Sequence, residues 1–222
     1  MKFEAILFDC DGVLVDSEPL TNGVLCEMLN EAGWALTPQQ CMDWFVGKTV
    51  RSETARIEAH TGRPLTDAWM AAFYARRNAQ LQAHLTPIDG ACEAVRAVHQ
   101  QLQGRIACAS GADRFKVEMQ LAQVGLEPYF AGKVFSGHEM PATKPAPDVY
   151  LAAAAALGIA PTQCLVVEDT VTGVMAGVAA GATVVGYSPS PIGHGTPEAL
   201  RGAGAQRVIT DMAALPGLLS HW

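Results

Sequence analysis

Six short apolar runs, each followed by a polar or glycine-containing turn, are spread along the chain. Their apolar residues occupy consecutive positions, a pattern typical of strands that are buried on both faces of a parallel sheet. The predicted strands are Phe3–Phe8, Arg105–Ala109, Lys133–Phe135, Cys164–Val167, Thr183–Val185 and Arg207–Ile209.

Segments with helical periodicity separate most of these strands. Alternation of strand and helix predicts an α/β protein, with a Rossmann-like parallel sheet core and helices on both faces of the sheet. The clearest helical segments of this core are Ala91–Gln103, Arg114–Val124, Val149–Leu157 and Val171–Ala180.

The interval between the first and second strands breaks this alternation, because it contains no convincing strand pattern. Roughly seventy residues of helical period predict an inserted α-helical cap over residues 17–86, which leaves residues 1–16 and 87–222 for the catalytic core. The helical patterns of the cap are Glu18–Ala32, Pro38–Phe45, Val50–Thr61 and Thr66–His84.

Composition narrows the classes of protein that this chain can be. Of its 222 residues, 50% are hydrophobic and 17% are charged, so the chain can bury a substantial core and is not a disordered protein. The net charge of −7 leaves too little positive charge for a general nucleic-acid binder.

Three further features bear on location and assembly. No stretch reaches the roughly 18 uncharged apolar residues of a membrane span, and Glu4 and Asp9 interrupt the apolar start before a signal peptide could form. The six cysteines include no CxxC pair, which favours reduced thiols. We therefore expect a cytoplasmic protein with no membrane partner and, at this size, a monomer.

Polar side chains follow the predicted strands at their carboxyl ends, where open α/β sheets place their ligands. A single carboxylate there is most often a helix cap or part of a solvated turn. Several of them at neighbouring strand ends point instead to one shared site. The candidate residues are Asp9, Asp11, Ser110, Glu168 and Asp169, with Lys144 from a loop that opens a helix.

Carboxylates gathered in this way need a counterion. Two unit charges about 4 Å apart repel by about 4 kcal/mol at an effective dielectric constant of about 20. Ligands that are all oxygen atoms favour a hard cation, so we expect Mg²⁺. A divalent ion beside Ser110, Lys144 and backbone N–H groups is typical of a phosphate site.

Four local motifs carry a family resemblance that spans nearly the whole chain. The segment DCDGVLVDSE at residues 9–18 resembles the first signature of the haloacid dehalogenase superfamily. Three later features resemble the other signatures of this superfamily. They are Ser110 at a strand end, KPAPD at residues 144–148, and VVEDT at residues 166–170 followed by Gly173. The helical insert resembles the small cap of the subfamily that contains phosphoglycolate phosphatase, sugar-phosphate phosphatases and β-phosphoglucomutase.

The resemblance implies a Mg²⁺-dependent phosphatase that acts on a small phosphorylated metabolite, a sugar or sugar-acid phosphate, through an aspartyl-phosphate. Asp9 would be the nucleophile, and Asp11 would protonate the leaving oxygen and later take a proton from water. The implied metal ligands are Asp9, the Asp11 backbone carbonyl and Asp169, and Glu168 would either bind the metal directly or support these ligands. The implied phosphate ligands are Gly12, Ser110, the Gly111 and Ala112 amides and Lys144.

Three other activities compete with a phosphatase. A phosphosugar mutase of the β-phosphoglucomutase type carries a histidine shortly after the first signature, where this chain has Thr21, so a phosphatase is favoured over a mutase. The dehalogenases of the superfamily lack a carboxylate at the position of Asp11, which disfavours dehalogenation. A receiver-like phospho-acceptor module would be shorter and would carry no helical cap.

The cap is expected to supply substrate specificity. The segment GKTVR at residues 47–51 resembles the cap loop that faces the core site in this subfamily, so Lys48 or Arg51 would hold a second phosphate or a carboxylate of the substrate. An ordinary solvated helix start explains these charges equally well. His194 is the histidine expected to come nearest the site, and we assign it no role.

Overall fold

Two units make up the chain in a computed structural model, which describes residues 2–45, 48–189 and 195–222; Gly47 and His194 lie outside the described residues. Ser17–Leu85 forms one of them, the helical unit, and the segments before and after it form the core unit. Within the core unit, the N–H of Asp16 donates to the carbonyl of Thr86 (3.0 Å), which joins these two segments where they meet.

A six-stranded parallel sheet forms the centre of the core unit over the described residues. Its strands are β1 (Ala5–Phe8), β2 (Ile106–Ser110), β3 (Val134–Ser136), β4 (Cys164–Glu168), β5 (Thr183–Tyr187) and β6 (Arg207–Ile209). Their order across the sheet is β3-β2-β1-β4-β5-β6. The predicted α/β sheet is confirmed, with strand ends that differ from the prediction by no more than about two residues, as is usual for such boundaries.

The helical unit contains α1 (Glu18–Glu31), α2 (Pro38–Phe45), α3 (Thr54–Thr61) and α4 (Asp67–His84), with a 3₁₀ turn at Val50–Glu53. The prediction of one helix over Val50–Thr61 is therefore wrong in its first turn. Thr49 Oγ1 accepts from the N–H of Ser52 (3.1 Å), and Ser52 Oγ donates to the carbonyl of Thr49 (2.7 Å). These local hydrogen bonds compete with the α-helical pattern, which begins only at Thr54.

Aromatic side chains pack in the centre of the helical unit. The Trp34 ring lies edge-on to Trp44 and to Phe45, with centroid distances of 5.8 Å, and stacks on His60 at 4.0 Å. Cys41 is fully buried in the same cluster. The helical unit therefore has a hydrophobic core of its own.

Helices cover both faces of the sheet. Ala5 and Leu7 belong to one buried cluster with Val174, whereas Phe8, whose side chain points to the other face, contacts Phe130 with ring centroids 6.0 Å apart. The helices are α5 (Ala91–Gln101), α6 (Arg114–Gln123), α7 (Glu127–Phe130), α8 (Asp148–Leu157), α9 (Val171–Ala179), α10 (Pro197–Gly202) and α11 (Leu215–Ser220), with 3₁₀ turns at Gly137–Glu139, Pro161–Gln163 and Met212–Ala214.

The order in which successive strands are added to the sheet reverses between β1 and β4. These two strands are neighbours, but β2 and β3 lie beyond β1 on one side, and β5 and β6 lie beyond β4 on the other. Such a reversal opens a crevice at the carboxyl ends of the strands, where α/β sheets bind ligands. Asp9 follows β1, and Glu168 ends β4.

The described residues include no helix with the combination of length and apolar character needed to cross a membrane. The six cysteines are free thiols, and five of them are buried. This is typical of cysteines that pack as small apolar side chains.

Candidate active site

The loop after β1 holds Asp9 at the crevice. The N–H of Asp9 donates to the carbonyl of Val167 in β4 (3.0 Å), which extends the pairing of the two central strands by one residue. The carbonyl of Cys10 accepts from the N–H groups of Leu14 and Val15 (2.8 and 3.2 Å), so the chain turns tightly at this point. Asp9 itself is buried.

Three carboxyl groups converge at the ends of β1 and β4. Oxygen atoms of Asp9, Glu168 and Asp169 all lie within 4.8 Å of one another. Gly12 leaves the space that this cluster needs, because a Cβ at that position would lie 2.8 Å from Cγ of Asp169 and closer still to Oδ2. Gly12 also has a φ of +75°, which a glycine adopts without strain.

This cluster of carboxylate oxygens fits a hard divalent cation such as Mg²⁺, which takes oxygen ligands of this kind. Within the described part of the chain, the cluster consists of Asp9, Glu168 and Asp169, and the Asp11 side chain lies outside it. The backbone carbonyl of Asp11, rather than its carboxylate, was expected as a metal ligand, and this stays a prediction.

Lys144 links two of the three carboxylates. Its Nζ donates to Oδ1 of Asp9 (2.8 Å) and to Oε1 of Glu168 (2.7 Å). Burial opposes the charge on Lys144, but Asp9 and Glu168 outweigh it and hold the pKa of Lys144 well above its ordinary value. The ammonium group therefore stays charged beside Asp9.

The two carboxylates bound to Lys144 differ in how readily they ionise. Burial raises the pKa of Asp9 to about 7, although Lys144 pulls it down. Burial also acts to raise the pKa of Glu168, but Lys144 and the hydrogen bonds from Thr170 outweigh it, so the pKa of Glu168 is lowered. Glu168 is thus a fixed anion, whereas positive charge near Asp9 favours its ionised form.

Hydrogen bonds to both oxygens fix the orientation of the buried Glu168 carboxylate. Oε1 accepts from the Tyr150 hydroxyl (3.0 Å). Oε2 accepts from the N–H groups of Asp169 and Thr170 and from Thr170 Oγ1, at 2.9 to 3.0 Å. Gly173 makes room for this carboxylate, because a Cβ at position 173 would overlap it.

The Asp11 carboxylate lies against helix α6. Its Oδ1 accepts from Lys116 Nζ (2.8 Å) and from Gln120 Nε2 (2.9 Å). The two donors are one helical turn apart on the same face of α6. Asp11 is therefore a second carboxylate, two residues from Asp9, with an environment of its own.

Ser110 ends β2, and Gly111 and Ala112 follow it in the loop before α6. Ser110 is buried, and its Oγ accepts from the N–H of Ala112 (3.1 Å), so this amide has a partner within the loop. Asp113 caps the first turn of α6. The N–H groups and the dipole at such a helix start favour anions, and binding of phosphate by these residues stays a prediction.

Lys48 and Arg51 form ion pairs within the helical unit. Lys48 Nζ lies 3.3 Å from Oε1 of Glu53, and Arg51 Nη2 lies 2.7 Å from Oδ1 of Asp67. The hydrogen bond to Asp67 raises the pKa of Arg51. Exposed ion pairs of this kind exchange partners at little cost, and a contact of either residue with a substrate anion stays a prediction.

Four residues that hold the predicted site residues were not identified from the sequence. The sequence could have indicated Lys116 and Gln120, because they are two polar residues on the otherwise apolar, buried face of α6. Thr170 lies inside the motif around Glu168, and Tyr150 lies in the first turn of α8, but neither position carries a pattern that reveals its partner.

Known proteins resemble this chain in sequence and in structure. The family model for haloacid dehalogenase-like hydrolases matches residues 3–181. The 6-phosphogluconate phosphatase of Escherichia coli is 28% identical over 191 residues, covering 86% of this chain and 85% of that protein. The fructose-1-phosphate phosphatase of Escherichia coli is 30% identical over 186 residues, covering 83% and 96%. A HAD family hydrolase from Deinococcus radiodurans, solved with bound phosphate and sodium, has 33% identity and a TM-score of 0.78, covering 99% and 96%.

Proposed function

Because the chain belongs to the haloacid dehalogenase-like hydrolases and is a phosphoric monoester hydrolase, we propose that it hydrolyses a small sugar or sugar-acid phosphate, with Mg²⁺ and through an aspartyl-phosphate. Two of its relatives are named for substrates of these kinds, 6-phosphogluconate and fructose 1-phosphate. The observation that carries the proposal is the convergence of Asp9, Glu168 and Asp169 with Lys144 at the ends of β1 and β4.

In the first step, a carboxylate oxygen of Asp9 attacks the phosphorus atom of the substrate. An O–P bond to Asp9 forms while the bond between phosphorus and the leaving oxygen breaks. The ammonium group of Lys144, 2.8 Å from Asp9, stabilises negative charge at the reacting group. The second bond of Lys144, to Glu168, keeps the ammonium group in place.

Asp11 acts as the general acid in the first step and as the general base in the second. It gives a proton to the leaving oxygen as that bond breaks, and it then takes a proton from the water that attacks the phosphorus of the aspartyl-phosphate. The O–P bond to Asp9 breaks, inorganic phosphate leaves, and Asp11 again carries its proton. A separate carboxylate is needed because Asp9 is esterified at this stage.

Charge on the phosphoryl group is balanced by the remaining residues. When bound, Mg²⁺ neutralises negative charge on the carboxylates and on the phosphoryl oxygens. The residues that would hold it are the three clustered carboxylates of Asp9, Glu168 and Asp169, together with the backbone carbonyl of Asp11 that the family resemblance implies. The residues that would bind the phosphoryl group are Gly12, Ser110, Gly111, Ala112 and Lys144.

Phosphate release from a panel of phosphorylated metabolites tests this function. Purified protein is assayed with Mg²⁺, and a sample treated with EDTA serves as the control. We expect release of inorganic phosphate from at least one sugar or sugar-acid phosphate, and we expect EDTA to abolish it. No Mg²⁺-dependent release from any member of the panel would contradict the proposal.

Two further assays of the purified protein distinguish a phosphatase from a phosphosugar mutase and from a receiver-like module. A mutase would convert β-glucose 1-phosphate, given a trace of the bisphosphate, to glucose 6-phosphate without free phosphate. We expect no such conversion, because the hydroxyl of Thr21 is a poor acid or base near neutral pH. A receiver-like module would form an aspartyl-phosphate that lasts for hours without turnover.

A further inference from the structure

Helix α6 turns two long polar side chains toward the interior of the core unit. Its buried residues are Lys116, Val117, Gln120 and Leu121. Burial of an ammonium group or an amide costs free energy unless hydrogen-bond partners are supplied. Apolar residues at positions 116 and 120 would pack the helix without this cost, so the polar pair indicates a role beyond packing.

Both side chains donate to one atom of Asp11. Lys116 Nζ lies 2.8 Å and Gln120 Nε2 lies 2.9 Å from Oδ1 of Asp11. The Lys116 side chain is only 7% exposed, so solvent screens its ion pair with Asp11 weakly. Two donors from successive turns of one helix restrict the rotation of the Asp11 carboxylate.

Cys10 ties the amide of Gln120 to the same loop. The Cys10 thiol donates to Oε1 of Gln120 (3.7 Å), which is consistent with Nε2 facing Asp11. Cys10 is fully buried between Asp9 and Asp11 in the chain. The loop that carries both carboxylates is therefore joined to α6 at two adjacent points.

We propose that Lys116 and Gln120 are positioning residues for Asp11, an inference that rests on the proposed function. Proton transfer requires Asp11 to lie within hydrogen-bond reach of the leaving oxygen. The two donors on Oδ1 select one orientation of the carboxylate. Without them, Asp11 samples several rotamers, and only a fraction of the molecules can donate the proton.

The dependence of kcat/KM on the leaving group tests this role. Lys116→Met and Gln120→Met each remove one donor and keep an unbranched side chain. Phenolate is a poor leaving group that needs a proton, whereas p-nitrophenolate leaves with little help. We expect each variant to lose kcat/KM by about tenfold or more with phenyl phosphate, and by less than about threefold with p-nitrophenyl phosphate, because only the first reaction depends on the acid.

Three further variants serve as references. Asp11→Asn should show the same selective loss, more strongly than the two methionine variants. Lys116→Arg keeps a cationic donor and should recover activity with phenyl phosphate. Gln123 lies at an exposed position of the same helix. Gln123→Met should therefore retain the wild-type ratio of kcat/KM with phenyl phosphate to kcat/KM with p-nitrophenyl phosphate.

Equal losses with both substrates, or no loss, would overturn the positioning role and leave Lys116 a structural ion-pair partner. Circular dichroism identifies any variant that does not fold, and Gln120→Met then carries the test if Lys116→Met fails. Asp9→Asn separates the two proposals. If it still releases phosphate from the aryl phosphates or from the sugar phosphate that the wild type hydrolyses, the proposed function fails. If it is inactive and only the leaving-group selectivity of the methionine variants is missing, the positioning role alone fails.

Discussion

Gly12 lies so close to the carboxyl group of Asp169 that a Cβ at position 12 would be 2.8 Å from Cγ of Asp169. The φ of +75° at Gly12 would also strain any residue that has a Cβ. The absence of a side chain at position 12 therefore determines where the Asp169 carboxylate can lie, and with it the geometry of the three-carboxylate cluster.

We expect Gly12→Ala to lower kcat/KM by at least about tenfold, since displacements of about 1 Å in a reacting site cost up to about a hundredfold. The loss should be partly restored at high Mg²⁺ concentration, which a Mg²⁺ titration of phosphatase activity measures. Gly217→Ala is the matched control, because a Cβ at position 217 meets nothing within 4 Å. Full activity of Gly12→Ala at low Mg²⁺ would show that catalysis does not depend on the position that the Asp169 carboxylate occupies beside Gly12.

Asp9→Asn should abolish turnover and leave the fold intact. The amide cannot form the phosphate ester, but it retains the size of Asp9. Burial raises the pKa of Asp9, so removal of its charge relieves a desolvation cost, and Lys144 keeps its bond to Glu168. Hydrolysis of p-nitrophenyl phosphate and thermal unfolding measure the two effects, and a wild-type rate in this variant would refute the nucleophile assignment.

Mg²⁺ should stabilise the folded protein, because it relieves repulsion among Asp9, Glu168 and Asp169 and binds the unfolded chain weakly. A ligand present at a hundred times its Kd raises the free energy of unfolding by about 2.7 kcal/mol. Thermal unfolding with Mg²⁺ and with EDTA measures the shift in Tm.

Asp169→Asn should lose most of this shift, whereas Asp43→Asn, at an exposed position of α2, should keep it. An unchanged shift in Asp169→Asn would place the ion elsewhere.

Arg51→Ala should raise KM for substrates with a second anionic group and leave kcat nearly unchanged, if Arg51 binds that group. The control is Asp67→Asn, which removes the same ion pair and keeps the guanidinium group. Steady-state kinetics with a sugar-acid phosphate and a neutral sugar phosphate measure the difference. Equal effects of the two variants would show that the ion pair acts only within the helical unit.

Tyr150→Phe should have a small effect. It removes one hydrogen bond to Oε1 of Glu168 and keeps the ring that lies 4.7 Å from Lys144 Nζ. Glu168 retains its bonds from Lys144 and Thr170. We expect a loss of about 1 kcal/mol in the free energy of unfolding, measured in urea, and less than about a threefold loss in kcat. A large loss of kcat at unchanged stability would indicate a direct role of Tyr150 in the reaction.

Local patterns were sufficient to predict the sheet and the ends of its strands. A strand buried on both faces is a run of apolar residues, so the first polar residue after it marks where the chain leaves the sheet. Asp9, Ser110 and Glu168 were placed at strand ends in this way, and the structure has them there. Lys144 is a different case, since it was grouped with these residues from a loop that opens a helix and does not follow a strand.

The partners of these residues depended on packing between distant parts of the chain. Lys116 and Asp11 are separated by 105 positions, and nothing in the periodicity of α6 states which carboxylate its buried polar face will meet. The 3₁₀ turn at Val50–Glu53 shows the same limit at short range, because side-chain hydrogen bonds there outweigh a helical period. Periodicity reports which face of an element is buried, whereas the group opposite that face depends on how whole elements pack.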